Sequence, residues 1–138
     1  MQKLADIIGV SRNYLSDYLL YIEKAGMIAQ VRDATGGIRG LGKVEKIYLD
    51  NTNLIYYIEG RVIPIYGNIR ETFFYNQMRV KQDIISSKVS DFQIGERTFE
   101  IGGKSKGQQQ IAKAQEGYVI KDDMRPDMEI LFHFGISE

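Results

Sequence analysis

Apolar positions along LADIIGVSRNYLSDYLLYIEKAGMI recur at helical spacing, with Leu4, Ile7 and Ile8 on one face and Leu15, Tyr18, Leu19 and Ile22 on another. This pattern predicts two helices separated at Gly9. Ser11 is placed to cap the second, its hydroxyl accepting a backbone N–H of the first turn, and Gly26 to end it. Small Ala5, the glycine turn and apolar residues at 10, 15 and 18 resemble a helix-turn-helix. MIAQVRD and VEKIYLD then read as a strand pair, and NTNLIYYIEG as a short closing helix. Past Pro64 the pattern changes. GNIRETFFYNQM predicts a helix with Ile69 and Phe73 on one side and Phe74 and Met78 beside them; Asn68 and Glu71 have capping-box spacing at its start. Segments in IISSKVSDFQI and RTFEI, a helix over KGQQQIAKAQ, and strands in GYVIKDD and EILFHFGI complete the order: helix, three strands, helix, two strands. Ser105 and Gln108 have the spacing of a second capping box, and Gly117 is placed to stop that helix.

Two glycine-rich stretches invite a phosphate-loop reading. Gly37, Gly42 and Lys43 fit G-x-x-x-x-G-K, but Val44 stands where a Ser or Thr must hold Mg²⁺, and a strand follows instead of a helix. GGKS, residues 102–105, has the lysine and serine without the earlier glycine. No nucleotide-binding residues are therefore expected. GGIRGLGK is read as the tip of a wing between two strands, its glycines serving turn geometry.

SDFQIGERTFEIGGK carries the main candidate chemistry. A two-residue turn at Gly95-Glu96 sets a register in which Ile94 faces Arg97, Gln93 faces Thr98, Phe92 faces Phe99 and Asp91 faces Glu100. Alternation then puts Phe92, Ile94, Phe99 and Ile101 on one face, and Asp91, Gln93, Thr98 and Glu100 on the other. Two carboxylates opposite each other, about 5 Å apart at Cβ, repel unless something separates or neutralises them. Mg²⁺ would do so, and phosphate-ester nucleases use such an ion to generate hydroxide and stabilise the leaving oxygen. Another reading stays open, in which Asp91 sits just before the strand and Glu100 is simply a solvated strand residue paired with Lys88 or Lys104.

Composition narrows the class. The 138 residues hold no cysteine, so neither a disulfide framework nor a thiolate metal site is available, which fits a reducing cytoplasm. No secretory signal or membrane-length apolar run is present, so no membrane partner is expected. Basic and acidic residues balance at 18 each, with seven of each in residues 1–60. Neither half has the basic excess of a dedicated nucleic-acid binder. Binding to DNA would have to come from a local patch, for which Arg12, Asn13 and Ser16 on the second helix and Arg32, Arg39, Lys43 and Lys46 along the hairpin are the candidates, interrupted by Asp17, Glu23, Asp33 and Glu45. Packing or protein contact is the competing use of such a unit.

GN-x-RE-x-FF-x-NQ, then SDF, then FE-x-GGK-x-KG-x-x-Q, with GLGKVEKIYLDNTNL upstream, resembles the C-terminal region of prokaryotic AAA-type ATPases whose tail is a domain of unknown function. The resemblance covers nearly the whole chain. It implies an α+β fold in which residues 1–60 form a winged-helix segment. Residues 61–138 would form a small mixed sheet flanked by helices, similar to the PD-(D/E)XK nuclease fold. An ATPase module would precede the chain, which accords with a winged helix that lacks its first helix. Asp91 matches the motif aspartate, Glu100 the (D/E) position and Glu71 the acidic residue of the first core helix, which makes all three candidate Mg²⁺ ligands. The motif lysine belongs at position 102, where Gly102 stands; Lys104 is the candidate displaced lysine, with Lys106 near it. Gln109 and Gln110 could lie near the site, and His133, between Phe132 and Phe134, is read as structural. Three functions follow as expectations. The first is an accessory region with a degenerate nuclease-like core that binds nucleic acid or a protein partner, favoured by Gly102. The second is an active Mg²⁺-dependent nuclease using Asp91, Glu100 and Lys104, and the third a winged-helix transcriptional regulator.

Overall fold

The computed structural model describes residues 1–36, 43–59, 66–103, 107, 109, 111–112 and 114–121. Helices α1 (Gln2–Ile8) and α2 (Arg12–Lys24) lead into strands β1 (Ile28–Arg32) and β2 (Val44–Leu49) and helix α3 (Thr52–Glu59). Helix α4 (Tyr66–Met78) is followed by strands β3 (Ile85–Ser86), β4 (Phe92–Ile94), β5 (Arg97–Gly102) and β6 (Glu116–Lys121). The fold is thus mixed α+β, with two small sheets: an antiparallel β1-β2 pair, and a four-stranded sheet ordered β3-β4-β5-β6. Residues 37–42 of the stretch expected as a wing tip, Arg39 among them, lie outside the described residues, as do Lys104, Ser105, Lys106, Gln108, Gln110, His133 and the segment EILFHFGI.

The turn chemistry at the N-terminal helices takes its expected form. Gly9 adopts φ 77° and its N–H bonds the Ala5 carbonyl, a left-handed cap that a side chain would strain. The Ser11 side chain accepts from the Tyr14 N–H, and Gly26 follows the second helix at φ 71°. The buried faces differ from expectation. Only Ala5 of α1 is buried, while Leu4, Ile7 and Ile8 are exposed; on α2, Leu15 and Leu19 are buried but Tyr18 and Ile22 are not. Helical spacing identifies an apolar stripe, but which part of it is covered depends on the packed neighbours, here Val10, Ile28 and Ile47 around Ala5, Leu15 and Leu19.

A larger cluster joins both sheets. Ala29, Val31 and Tyr48 of the β1-β2 pair pack with Tyr75 of α4 and with Phe92, Phe99 and Ile101 of the second sheet. Phe92 is fully enclosed, its ring 5.7 Å from Tyr48, 5.5 Å from Phe74 and 5.8 Å from Tyr75. Polar contacts reinforce this union: the Tyr75 hydroxyl donates to the Gln30 carbonyl (3.1 Å), Asn76 donates to the Leu49 carbonyl (3.0 Å), and Arg79 pairs with Asp50. The expected face of α4 is corrected accordingly: Phe73 is exposed, and Thr72 and Tyr75 are its buried residues. The expected capping box at Asn68 does not form, because Asn68 lies within the helix, where its carbonyl accepts from Thr72 Oγ1.

The register around the β4-β5 turn matches the sequence reading: Phe92 pairs with Phe99, Gln93 with Thr98 and Ile94 with Arg97, with Gly95 at φ 59°. β6 runs parallel to β5, from Arg97 opposite Glu116 to Gly102 opposite Lys121. Parallel neighbours require a crossover connection, here supplied by residues 103–115. Among the described residues of that connection no helix is present, and Gly117 does not end one. It lies within β6, where a Cβ would come 2.9 Å from the Ile111 Cβ, so the glycine serves close approach instead.

Candidate functional site

Strand β2 presents Lys46 and Tyr48 on one side, as the two-residue period of a strand requires. Both meet Glu71, which α4 projects toward them. Lys46 Nζ lies 3.2 Å from Glu71 Oε2 and 3.1 Å from Asp91 Oδ1, and the Tyr48 hydroxyl donates to Glu71 Oε2 at 2.5 Å. The same ammonium stands 5.1 Å from the centre of the Phe92 ring, whose face attracts a cation. All three charged side chains are largely but not wholly shielded, with 30 %, 23 % and 17 % of the Lys46, Glu71 and Asp91 side chains exposed. Burial, reinforced by the hydrogen bond to Glu71 and by nearby negative charge, pushes the Tyr48 phenol far above its ordinary range, so it acts as a fixed donor.

Asp91 immediately precedes β4 and is stitched to β5 on both sides of Glu100. Its N–H donates to the Phe99 carbonyl (3.2 Å), and its Oδ2 accepts the Ile101 N–H (2.9 Å). One carboxylate oxygen therefore completes the β-ladder while the other faces Lys46. The reading of Asp91 as a residue just before the strand is right about position, yet the side chain is fully engaged. Glu100 is only 2 % exposed and is not without a partner, so it is not the solvated strand residue that the sequence left open.

Glu71 and Asp91 thus converge on one ammonium, and Glu100 lies in the ribbon between the two residues that bind Asp91. Gly102 is buried at the end of β5. A Cβ on the neighbouring Gly103 would meet the Arg70 guanidinium at 3.6 Å, so a cation from α4 stands beside the end of β5, next to the Gly102 position at which the resemblance expects a lysine. Among the described residues no three His, Cys, Asp or Glu side chains are gathered to hold a divalent ion. Mg²⁺ requires nearly octahedral oxygens at about 2.0–2.1 Å; here Asp91 gives its two oxygens to Lys46 and Ile101, and Glu71 Oε2 serves Lys46 and Tyr48. Among the described residues the arrangement does not fit a resident divalent ion.

Beside this cluster, a cleft of about 440 Å³ lies between β2, α3 and α4, with Lys46, Glu71, Asn68 and Thr72 as its polar lining. Arg12, Asn13 and Ser16 are exposed on α2, with the Ser16 hydroxyl donating to the Arg12 carbonyl. Lys43 is exposed but paired with Glu45 at 2.9 Å. Gln109 is exposed. Sequence reasoning assigned Lys46 to the hairpin surface and gave Tyr48 no role. The signal available was their spacing two apart in VEKIYLD; what was missing was the packing of that strand against α4. Comparison with family models, with curated proteins and with solved structures finds no match. Among the described residues, no helix is long and apolar enough to cross a membrane.

Proposed function

We propose that the chain is an accessory region of a prokaryotic AAA-type ATPase, in which a winged helix and a nuclease-like core that does not cut serve to bind nucleic acid or a protein partner. The observation that carries this reading is Lys46. Its ammonium sits between Glu71 and Asp91, two of the three acidic side chains that a cutting site would turn toward a metal. The exposed Arg12, Asn13 and Ser16 of α2 give the winged helix a polar contact surface, with Tyr14 and Tyr21 beside them also exposed.

An active Mg²⁺-dependent nuclease is the second reading. It is favoured by the order of elements: α4, then antiparallel β3, β4 and β5, then a crossover to parallel β6, with Asp91 immediately before β4 and Glu100 in the adjacent β5. Incubating the chain with duplex and single-stranded DNA in Mg²⁺ or Mn²⁺, alongside Glu100→Ala, separates the two. The accessory reading expects no cleavage in either protein. Cleavage that requires the metal and disappears in Glu100→Ala would overturn it. A parallel anisotropy titration at several salt concentrations identifies the partner class, since phosphate contacts weaken steeply with salt; tight, sequence-dependent duplex binding would favour the regulator.

A further inference from the structure

A cutting site of the nuclease-like kind needs a cation between its carboxylates, and this chain already contains one. We propose that the Lys46 ammonium is the resident cation of the Glu71–Asp91 pair, taking the electrostatic part of a divalent ion and thereby tying β2 to α4 and to the start of β4. The inference rests on the non-cutting reading but concerns what holds the site together.

Three observations converge on it. Lys46 Nζ is almost equidistant from the two carboxylates, at 3.2 and 3.1 Å, so it neutralises both. The remaining negative charge of the trio is met by two neutral donors, the Tyr48 hydroxyl on Glu71 and the Ile101 N–H on Asp91. Finally, the lysine is held in place from the apolar side by Phe92, which is itself fully buried. An ammonium and a divalent ion cannot occupy this gap together. The lysine comes from a strand far from both carboxylates in sequence, so the bond it makes is also a bond between the two sheets.

The test combines calorimetric titration of the whole chain with MnCl₂ and MgCl₂ and thermal unfolding of the wild type, Lys46→Met and Lys46→Arg in chelator-treated buffer. The wild type should take up neither ion saturably and should melt at the same temperature in either salt as in NaCl of equal ionic strength. Lys46→Met should melt lower by roughly 5 °C, and Lys46→Arg, which keeps the charge, should recover part of that loss. Saturable one-to-one uptake of Mn²⁺ by the wild type would overturn the proposal whether or not the variants fold. So would equal losses in Lys46→Met and Lys46→Arg, which would reduce the side chain to packing, or no loss in either. Metal uptake without DNA cleavage would sink this inference alone and leave the accessory reading standing; cleavage without saturable uptake would do the reverse.

Discussion

Tyr48 shows how one side chain links the strand pair to the acidic site. Its ring packs on Tyr75 and Phe92, and its hydroxyl donates to Glu71. Replacing it with Phe keeps the ring contacts but leaves Glu71 short of a donor in a shielded position. The expected cost is about 2 kcal/mol, measurable as a lower urea midpoint at pH 7. The pH dependence follows from the raised phenol. Below pH 10 the folded and unfolded chains both keep the proton, and stability is unaffected. Above pH 10 the unfolded chain releases it while the folded chain holds it, so stability falls as pH rises toward the folded value. Tyr75, also raised by burial, adds to the same decline. Each contributes up to about 1.4 kcal/mol per pH unit, so Tyr48→Phe should show a shallower alkaline loss than the wild type between pH 10 and 11; identical slopes would show that Tyr48 ionises freely in the fold. None of this was legible in VEKIYLD, where a tyrosine in a strand is equally well a core ring.

At the scale of elements, the strands were read well where turn chemistry dictates them and poorly where distant packing does. Gly95 at φ 59° imposes the β4-β5 register, which the sequence therefore yields residue for residue. The faces of α1 and α4 were misread because spacing offers more apolar positions than the neighbours cover, leaving Ile7 76 % exposed. Glu71 was ambiguous for the same reason: capping-box spacing is local, whereas its partners Lys46 and Tyr48 arrive from another element. Gly117 was assigned to a helix end, but its need is the approach of Ile111 to β6. Gly117→Ala should accordingly destabilise the chain by about 1–3 kcal/mol, since the connection must move to admit a methyl group. A Gly117→Ala midpoint equal to the wild type would place Ile111 elsewhere.

Across the whole molecule, residues 1–60 and the remainder share one apolar cluster, from Ala29 and Val31 through Tyr48 to Phe92 and Ile101. The Lys46 bridge lies at the edge of that cluster, linking residues 45 apart in the chain. This makes the site a joint between the two sheets as much as a chemical centre. It also explains why sequence reasoning could bring Asp91 and Glu100 onto one ribbon yet miss the cation: the ribbon is local, and the lysine reaches it only through tertiary packing. A double-mutant cycle of Lys46→Met and Asp91→Asn, followed by urea unfolding, tests this central contact most directly. If the ammonium bridges the carboxylates, the double variant should lose at least about 1 kcal/mol less than the sum of the single losses. Losses that add to within about 0.3 kcal/mol would show that the two side chains do not sense each other, and would contradict the account.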